Sequence, residues 1–428
     1  MIKIIKANGI DEMNFINLLN KRADEENCAI IKTVADIISD VKLNGDSAVR
    51  DYTAKFDCDN AEFYEVSKEI IEKSEDLCDN GFICSLKNAA MNIEAFHRQA
   101  KSDDFEMKKT DGSVLSQTTR GLSRVGIYVP GGTAAYPSSV LMNVIPAKIA
   151  GVGEIIMVTP PQKDGKANMN IIAAAKIAGA DRVFLIGGAQ AVAALAYGTE
   201  TIPAVDKITG PGNAYVAEAK RQVFGKVDID MIAGPSEILI LADKTANPKY
   251  IAADLMSQAE HDVLASAVLI TNDENIANET KKELETQIKS LSRKDMIEKS
   301  LKNYGCIIIA DSIDKMIELA NEIAPEHLEV CMENPMQYKD LLINAGAIFF
   351  GNYTPEPIGD YYAGPNHVLP TNGTARFSSP LFVSDFVKKS NYIYYTKDAF
   401  VKAAADVITL ADKEGLDAHA NSIKVRCD

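Results

Sequence analysis

A glutamine and a histidine stand three positions apart in the stretch Asn247–Asp262, NPKYIAADLMSQAEHD. Apolar residues recur there at helical spacing, and Asn247 followed by Pro248 is typical of a helix start. Gln258 and His261 therefore project from one side of the predicted helix, with His261 in its last turn. The pair offers an oxygen and a nitrogen to a metal, although a solvated glutamine and a histidine bonded to a carbonyl are the commoner outcome.

The segment Ala324–Glu329, APEHLE, sets Glu326 beside His327. Neighbouring side chains diverge in a strand and stand about 100° apart in a helix, so both reach one substrate only from a turn, which Pro325 favours. A histidine beside a carboxylate suits two successive proton transfers, the histidine near its working pKa and the glutamate serving water. The alternative is a surface glutamate beside a histidine at a helix start.

Two later segments each combine a carboxylate with a histidine. The glycine-bounded loop GDYYAGPNH carries Asp360 and His367, and EGLDAH carries Glu414 and His419 near the end of the chain. Asp360 offers a carboxylate oxygen to zinc, whereas the loop spacing fixes no position for His367. The last segment has few core residues, and a histidine there is ordinarily solvent-exposed.

Four of these side chains form a set that zinc accepts. His261 and His419 supply nitrogen, Asp360 a carboxylate oxygen and Gln258 an amide oxygen. Glutamine is a rare zinc ligand, but the set leaves room for a substrate to complete the shell. With one carboxylate the site would keep a net positive charge and attract a neutral amine or imidazole nitrogen.

The elements that must position these residues follow two patterns. Residues 1–105 read as mainly helical, with helices over Cys28–Val41, ended by Asn44-Gly45, and over Ile83–Arg98, where His97 is expected to pack and not to react. Two series of apolar strands alternating with helices follow, which is typical of parallel sheets covered by helices. Their strands are VGIYV, IIMVT and RVFLI, then EILILAD, VLASAVLIT (Val263–Thr271), CIIIA and GAIFF. The chain ends in a predicted helix over Ala399–Ala411 and an irregular polar tail.

Three glycine-bearing loops follow strands of the first series, at 130–133, 187–190 and 209–213. Each precedes a predicted helix, so backbone amides at a helix N-terminus can meet a phosphate or ribose. No GxGxxG fingerprint occurs, and each loop alone is also explained as a tight turn that needs glycine. Three such loops in succession favour a divergent Rossmann-like unit that binds a dinucleotide.

The charge balance excludes other classes of partner. With 45 Lys and Arg against 60 Asp and Glu, the net charge is −15, and no basic run provides the patch that nucleic acid or an anionic membrane needs. The seven cysteines are scattered and never spaced CxxC, which indicates reduced thiols in the cytosol. Because neither an apolar N-terminal region nor a run of about 18 apolar residues occurs, we expect a soluble, cytoplasmic protein.

Long motifs in this order and spacing resemble the L-histidinol dehydrogenase family. The resemblance covers essentially the whole chain and rests on GIYVPGG, ITGPGNAYV, AGPSEILI, DLMSQAEHD, APEHLEV, GDYYAGPNHVLPT and EGLDAHANS. It implies an enzyme that contains one Zn²⁺ per subunit and ends histidine biosynthesis. Such an enzyme oxidises L-histidinol through L-histidinal to L-histidine and passes hydride to two NAD molecules in turn.

The resemblance also implies a role for each matching residue. The catalytic acid–base pair would be Glu326 and His327. The zinc ligands, which also contact the substrate, would be Gln258, His261, Asp360 and His419. The other substrate contacts would be Ser236, His327 and Glu414, and the NAD contacts would be Tyr128, Gln190 and Asn213.

The implied fold is α/β, with two divergent Rossmann-like domains, a helical N-terminal segment and a small C-terminal helical tail domain. In a homodimer with shared active sites the tail would reach the partner's site, which explains why Glu414 and His419 lie in a segment with little core. Because His261 ends a helix, whereas ligands usually bind beyond the carboxyl ends of strands, we expect the site in a cleft between the α/β units. The implied ranges are 1–24 for an N-terminal arm, 25–128 with 238–380 for the zinc-binding catalytic domain, 129–237 for the NAD-binding domain and 381–428 for the tail.

Two other interpretations remain open. A paralogous zinc- and NAD-dependent dehydrogenase of another amino alcohol or diol would share most of these motifs, but Glu414 suits a cationic amine. A metal-binding scaffold with an inactive Rossmann-like core would have no use for Glu326 and His327 together.

Overall fold

The computed structural model describes residues 2–24, 28–59, 65–100, 104–131 and 136–427 of the 428-residue chain. The chain divides into two compact units. The first comprises Met1–Gln99 and Leu122–Phe386, and the second comprises Ala100–Gly121 and Val387–Asp428.

Strands and helices alternate along most of the described residues. The strands are β1 (Lys3–Lys6), β2 (Phe105–Lys108), β3 (Val114–Gly121), β4 (Arg124–Tyr128), β5 (Glu154–Thr159), β6 (Arg182–Leu185), β7 (Lys207–Thr209), β8 (Asp228–Ile229), β9 (Glu237–Ala242), β10 (Ser266–Thr271), β11 (Gly305–Ile309), β12 (His327–Cys331), β13 (Ala347–Phe350) and β14 (Val387–Tyr394). The helices are α1 (Asp11–Asp24), α2 (Cys28–Phe56), α3 (Lys68–Lys73), α4 (Asn80–His97), α5 (Pro137–Ile149), α6 (Met169–Ala178), α7 (Gly188–Tyr197), α8 (Ala214–Val223), α9 (Pro248–Ala259), α10 (Glu274–Gln287), α11 (Lys294–Tyr304), α12 (Ile313–Ile323), α13 (Glu356–Tyr361), α14 (Lys397–Lys413) and α15 (Asp417–Lys424).

The first unit contains two parallel sheets, one for each predicted series. The five-stranded sheet has the order β6-β5-β4-β7-β8, and the six-stranded sheet has the order β1-β11-β10-β9-β12-β13. Helices cover both, as a parallel sheet requires. The predicted α/β class with two Rossmann-like units is therefore confirmed.

The apolar strands bury both of their faces. In β9 the side chains of Ile238 and Ile240 pack in one core cluster with Leu255 of α9, whereas Leu239 and Leu241 pack in another on the opposite face. Successive side chains of a strand point to opposite faces, so a strand covered on both sides needs a continuous apolar run. That run is the signal by which the sequence predicts β9.

Several element boundaries differ from expectation. β1 adds an edge strand to the six-stranded sheet, with Ile4 opposite Ile307; four residues are too short to show a period. β10 begins at Ser266, since Ala265 N–H closes a turn on the Asp262 carbonyl at 3.1 Å. The helix that begins at Cys28 is interrupted at Gly45, as predicted, because the φ of 53° and ψ of −131° there are not helical; a second helical segment then continues to Phe56.

The second unit is a three-stranded antiparallel sheet with two helices. Its strand order is β14-β3-β2, and α14 packs against α15. Thr396 caps α14 by accepting the N–H of Ala399 at 3.2 Å. The predicted C-terminal helix is confirmed, but the segment after it is the helix α15 and not an irregular tail.

Candidate active site

Glu326 and His327 lie where α12 gives way to β12. Pro325 and the left-handed Ala324 end the helix, Glu326 stands in a bend and His327 is the first residue of the strand. β12 pairs with β9 so that His327 lies opposite Ile238. The two side chains therefore meet the amino end of β9, but only Glu326 lies in the predicted turn, because His327 already belongs to the strand.

The main chain of Glu237, the first residue of β9, binds both side chains. Its N–H donates to Oε2 of Glu326 at 3.0 Å, and its carbonyl oxygen lies 3.0 Å from Nδ1 of His327. Because a carbonyl only accepts, Nδ1 must carry the proton of this bond. Nε2 of His327 has no hydrogen-bond partner in the described residues and lies 3.7 Å from Oδ1 of Asp360.

The pKa values of Glu326 and His327 are both strongly shifted. Burial raises the pKa of Glu326 to about 8, although the charge of His327 draws the value down. Burial alone would lower the pKa of His327, but the carboxylates of Glu326 and Asp360 outweigh it and raise that pKa to about 10. Paired groups with perturbed pKa values inside a concave site are typical of proton-transfer centres.

Helix α9 supplies Gln258 and His261. The helix ends at Ala259, so His261 stands just beyond it and not in its last turn, because Glu260 already caps the helix. Gln258 is fully buried, and neither its Oε1 nor its Nε2 has a hydrogen-bond partner in the described residues. An unsatisfied buried amide is costly, which indicates a ligand that the protein alone does not provide.

Asp360 reaches the same place from the short helix α13. Its main-chain oxygen lies 2.9 Å from Nδ1 of His367, whose Nε2 lies 3.2 Å from Oγ of Ser139 on α5. Burial would raise the pKa of Asp360, but His327, His367 and His261 together hold it below its usual value. Asp360 is thus an anion at neutral pH, and His367 holds its backbone.

Sequence reasoning missed a group of buried carboxyls next to this site. Nε2 or Nδ1 of His327 and the carboxylates of Glu356 and Asp360 come within 4.8 Å of one another. Glu356 accepts from Oγ of Ser257 at 3.0 Å, and its N–H donates to Glu329 at 2.8 Å. Burial raises the pKa of Glu356 to about 7. The only available signal was its place four residues before Asp360, which is one helical turn.

The donor types of Gln258, His261 and Asp360 fit Zn²⁺. Gln258 offers an unpartnered buried oxygen, and Asp360 offers an ionised carboxylate. Desolvation lowers the pKa of His261, against the opposing charge of Asp360, so its imidazole is neutral and keeps a lone pair at neutral pH. Neutral nitrogen, carboxylate and carbonyl oxygen are ligands that zinc accepts.

Three other predicted substrate or metal residues have different surroundings. Ser236 precedes β9 and is half-buried, and its carbonyl accepts from Ser266 N–H at 3.0 Å. Glu414 caps the end of α14 and His419 lies on α15, both in the second unit and both exposed. Their assignment to substrate and zinc stays a prediction.

Tyr128 and Gln190 meet at the loop between β6 and α7. The buried hydroxyl of Tyr128 accepts the N–H of Gly188 at 3.0 Å. Gln190 is 1% exposed, its Nε2 lies 3.4 Å from Asp57, and its Oε1 has no partner in the described residues. Asp57, which the sequence did not indicate, accepts from Gly187 and has a pKa raised by burial to about 6.

This loop is a better site for a ribose than for a phosphate. The amides at the start of α7 already bind Tyr128 and Asp57, so a diphosphate would have to displace them. The unpartnered oxygen of Gln190 is instead an acceptor suited to a hydroxyl group. Asn213 caps α8 by accepting the N–H groups of Tyr215 and Val216 at 3.0 and 3.2 Å. In the predicted loop 130–133, Gly132 and Thr133 lie outside the described residues.

Two cavities open beside His261 and Asp360, two of the predicted metal ligands. One of about 430 Å³ is lined by Tyr136 and Leu141 at α5 and by His261 beyond α9. Another of about 780 Å³ is lined by Asp360 and His367 together with residues 378–382. α5 belongs to the five-stranded sheet and α9 to the six-stranded sheet, which agrees with the cleft expected from the helix-end position of His261.

His97 has a structural role that does not involve the candidate site. His97 is fully buried, with its ring centroid 5.0 Å from that of Phe382 and 5.4 Å from that of Phe96, which agrees with a packing role.

The described cysteines are free thiols. In the described part of the chain, every helix is too short or too polar to span a bilayer.

Comparison with known proteins identifies similar chains over the whole length. The histidinol dehydrogenase family model matches residues 20–427. The histidinol dehydrogenase of Clostridium acetobutylicum is 55% identical over 426 residues, with 100% of this chain and 99% of that one covered. That of Bacillus subtilis is 52% identical and covers 99% of both chains. The crystal structure of histidinol dehydrogenase from Elizabethkingia anophelis superposes with a TM-score of 0.91 at 37% identity, covering 99% of this chain and 98% of that one.

Proposed function

The chain belongs to the histidinol dehydrogenase family, and on that basis we propose that it oxidises L-histidinol through L-histidinal to L-histidine with Zn²⁺ and two molecules of NAD. The observation that carries the proposal is the shared anchoring of Glu326 and His327 on the main chain of Glu237. It holds one histidine nitrogen as a donor and leaves the other directed at the metal-ligating groups.

His327 is the base for both oxidations. Its Nδ1–H is fixed on the Glu237 carbonyl, so Nε2 is the atom that accepts the hydroxyl proton of L-histidinol as hydride leaves. The protonated Nε2 then returns this proton to the carbonyl oxygen of the aldehyde when water adds. It is neutral again for the hydroxyl proton of the hydrate in the second oxidation.

Glu326 is the general base that activates the water. Its buried carboxylate takes one proton from water as the oxygen attacks the carbonyl carbon of L-histidinal. A pKa raised to about 8 makes it a stronger base than an ordinary carboxylate. Keeping the aldehyde in this buried site between the two oxidations prevents loss of a reactive intermediate.

Gln258, His261 and Asp360 are proposed to hold Zn²⁺, with His419 as the fourth ligand. The ion would supply a template that binds the imidazole and amino nitrogens of the substrate and polarises its oxygen. If Asp360 shared its charge with a cation, one of the three carboxylates that raise the pKa of His327 would be neutralised. That pKa would then fall towards the range that a base needs at neutral pH.

The coenzyme is proposed to bind on the five-stranded sheet, within residues 129–237 and the end of β4. NAD supplies the hydride acceptor for each oxidation. The free Oε1 of Gln190 accepts from a ribose hydroxyl beside Tyr128, and Asn213 faces the same ligand from the start of α8. Residues 25–128 and 238–380 would form the catalytic part.

Glu414 and His419 are proposed to act in the site of a partner subunit in a homodimer. Both are exposed in the second unit, and residues 381–428 provide few core side chains, of which Ala399, Ala404 and Ala411 are examples. An exposed carboxylate is suited to accept a hydrogen bond from an N–H group of the substrate, and an exposed imidazole to a shared metal.

A substrate panel with metal exchange tests the proposed function. We expect NADH formation from L-histidinol but not from L-leucinol, an amino alcohol without an imidazole, and loss of activity on removal of zinc with recovery when Zn²⁺ is returned. Equal rates with L-leucinol would favour a paralogous amino-alcohol dehydrogenase. Failure to reduce NAD with either substrate would refute the proposal.

A further inference from the structure

A buried arginine of the N-terminal helix α1 contacts the amino end of β9. The side chain of Arg22 is 1% exposed, and its Nη2 binds Oε1 of Glu237. The same nitrogen donates to Oδ1 of Asn372 at 3.3 Å, and Nη1 donates to the carbonyl oxygen of Leu264 at 2.7 Å. The guanidinium also lies 5.5 Å from the ring centroid of Tyr304. Contacts in several directions fix the orientation of the planar fork.

Glu237 connects this arginine to the catalytic pair. Its side chain is bound to Arg22, its N–H is bound to Glu326 and its carbonyl is bound to His327. The residue therefore has three anchors, two of which are the side chains that transfer protons. A rotation of the Glu237 backbone would change both bonds together.

We propose that Arg22 is a positioning residue of this enzyme, which acts by holding Glu237 and thereby the peptide groups that orient Glu326 and His327. The inference rests on the proposed function of that pair. It gives the N-terminal arm a part in catalysis, because a contact made by α1 determines how β9 presents its first residue.

The burial of the ion pair makes this anchor strong. The Glu237 side chain is 7% exposed, so its charge is stable there only when a cation and hydrogen bonds compensate it. Arg22 also compensates the charge that Glu237 exerts on the neighbouring Glu326 carboxyl. Lysine would keep this charge but not the forked contacts to Glu237, Asn372 and Leu264.

Three variants separate positioning from folding. Arg22→Met leaves the Glu237 carboxylate buried and unpaired, and that variant alone could fail to fold. The double variant R22M/E237M removes both charges at similar volume, and Arg22→Lys keeps the charge. We expect R22M/E237M to melt near the wild-type temperature, with kcat lowered about tenfold or more with L-histidinol and with L-histidinal alike. KM and bound zinc should stay within about twofold of the wild-type values. The kcat of Arg22→Lys should lie between those of the wild type and of R22M/E237M.

Arg182 provides a matched control. It is the first residue of β6 and donates two bonds of 2.8 and 2.7 Å to Glu65, an ion pair on the other sheet that is more exposed than the pair of Arg22 and Glu237. We expect Arg182→Met to change stability but not kcat. Hydrogen exchange of the backbone amide at position 237 gives a readout independent of turnover, and it should be faster in R22M/E237M than in the wild type or in Arg182→Met.

Two results would overturn the inference: wild-type kcat in R22M/E237M, or a loss of kcat that merely follows a loss of bound zinc. Unchanged exchange of the backbone amide at position 237 in the double variant would also contradict it. A wild-type protein that does not oxidise L-histidinol would refute the proposed function instead, and the exchange measurement would still decide whether Arg22 holds Glu237.

Discussion

Oε2 of Glu326 lies 3.8 Å from Nδ1 of His327, beyond hydrogen-bond distance, and each atom bonds instead to the main chain of Glu237. The two groups are therefore not a dyad that shares one proton. Each charge still shifts the pKa of the other group, but the proposed roles are separate, with Glu326 acting on water and His327 on the substrate hydroxyls.

These separate roles predict that substitutions of Glu326 and His327 slow the two oxidations differently. Glu326→Gln should slow the oxidation of L-histidinal by about 10²–10⁴-fold, because the water loses its base, and should affect the first oxidation much less. His327→Asn should slow both. Rapid-mixing measurements of NADH formation from L-histidinol and from L-histidinal would distinguish them. Equal losses of both steps in Glu326→Gln would contradict separate roles.

Gln258 is predicted to matter for the metal and not for the fold. Gln258→Leu removes two unsatisfied buried polar atoms, so the metal-free protein should keep its stability or gain about 1 kcal/mol. Zinc retention in equilibrium dialysis should fall sharply. The control is Gln287→Leu, which loses bonds to Lys249 and Glu283 at 3.0 Å and should retain zinc. Full zinc content in Gln258→Leu would remove it from the metal site.

His97 is predicted to make the protein sensitive to acid. Burial lowers its pKa to about 4, so the folded state holds it neutral while the unfolded chain takes up a proton below its ordinary pKa. Its contribution to stability is complete above about pH 6.5 and is lost as pH falls towards 4, by about 2–3 kcal/mol.

Urea unfolding at pH 7 and pH 4.5 measures this effect. His97→Leu keeps an apolar side chain against Phe96 and Phe382 and should lose less stability between the two pH values than the wild type. Identical losses in both proteins would show that another group controls acid unfolding.

The shared site is predicted to allow complementation between subunits. A chain truncated after Ala411 should fold its α/β units and lose turnover. Mixing inactive His419→Ala subunits with inactive His327→Asn subunits should restore about a quarter of the wild-type rate if dimers form statistically, because each mixed dimer has one intact site. Normal activity of the truncated chain, or no recovery on mixing, would contradict a site built from two subunits.

The architecture could be predicted because its signals are local. Strands such as β9 are continuous apolar runs, and Asn247 with Pro248 marks the start of α9 in both sequence and structure. Predictions failed where the local signal is too short. β1 has only four residues, and the sequence of the turn closed by Asp262 and Ala265 does not differ from that of the strand that follows it.

The site was predictable only for residues with distinctive motifs. Glu326 and His327 could be found from their adjacency after a proline, but nothing in the sequence connects them with Glu237, which is about 90 positions away and adjacent only through strand pairing. Glu356 and Asp57 are ordinary carboxylates until the fold buries them. Long-range contacts of this kind are set by topology and not by local pattern.

The number of NADH molecules formed per molecule of L-histidinol tests the central claim most directly. One site that carries out both oxidations should give two NADH at the end of the reaction, with L-histidine as the product and no free L-histidinal. The yield should vanish when zinc is chelated and return when Zn²⁺ is added. A yield of one, an accumulating aldehyde, or full turnover without metal would contradict the account.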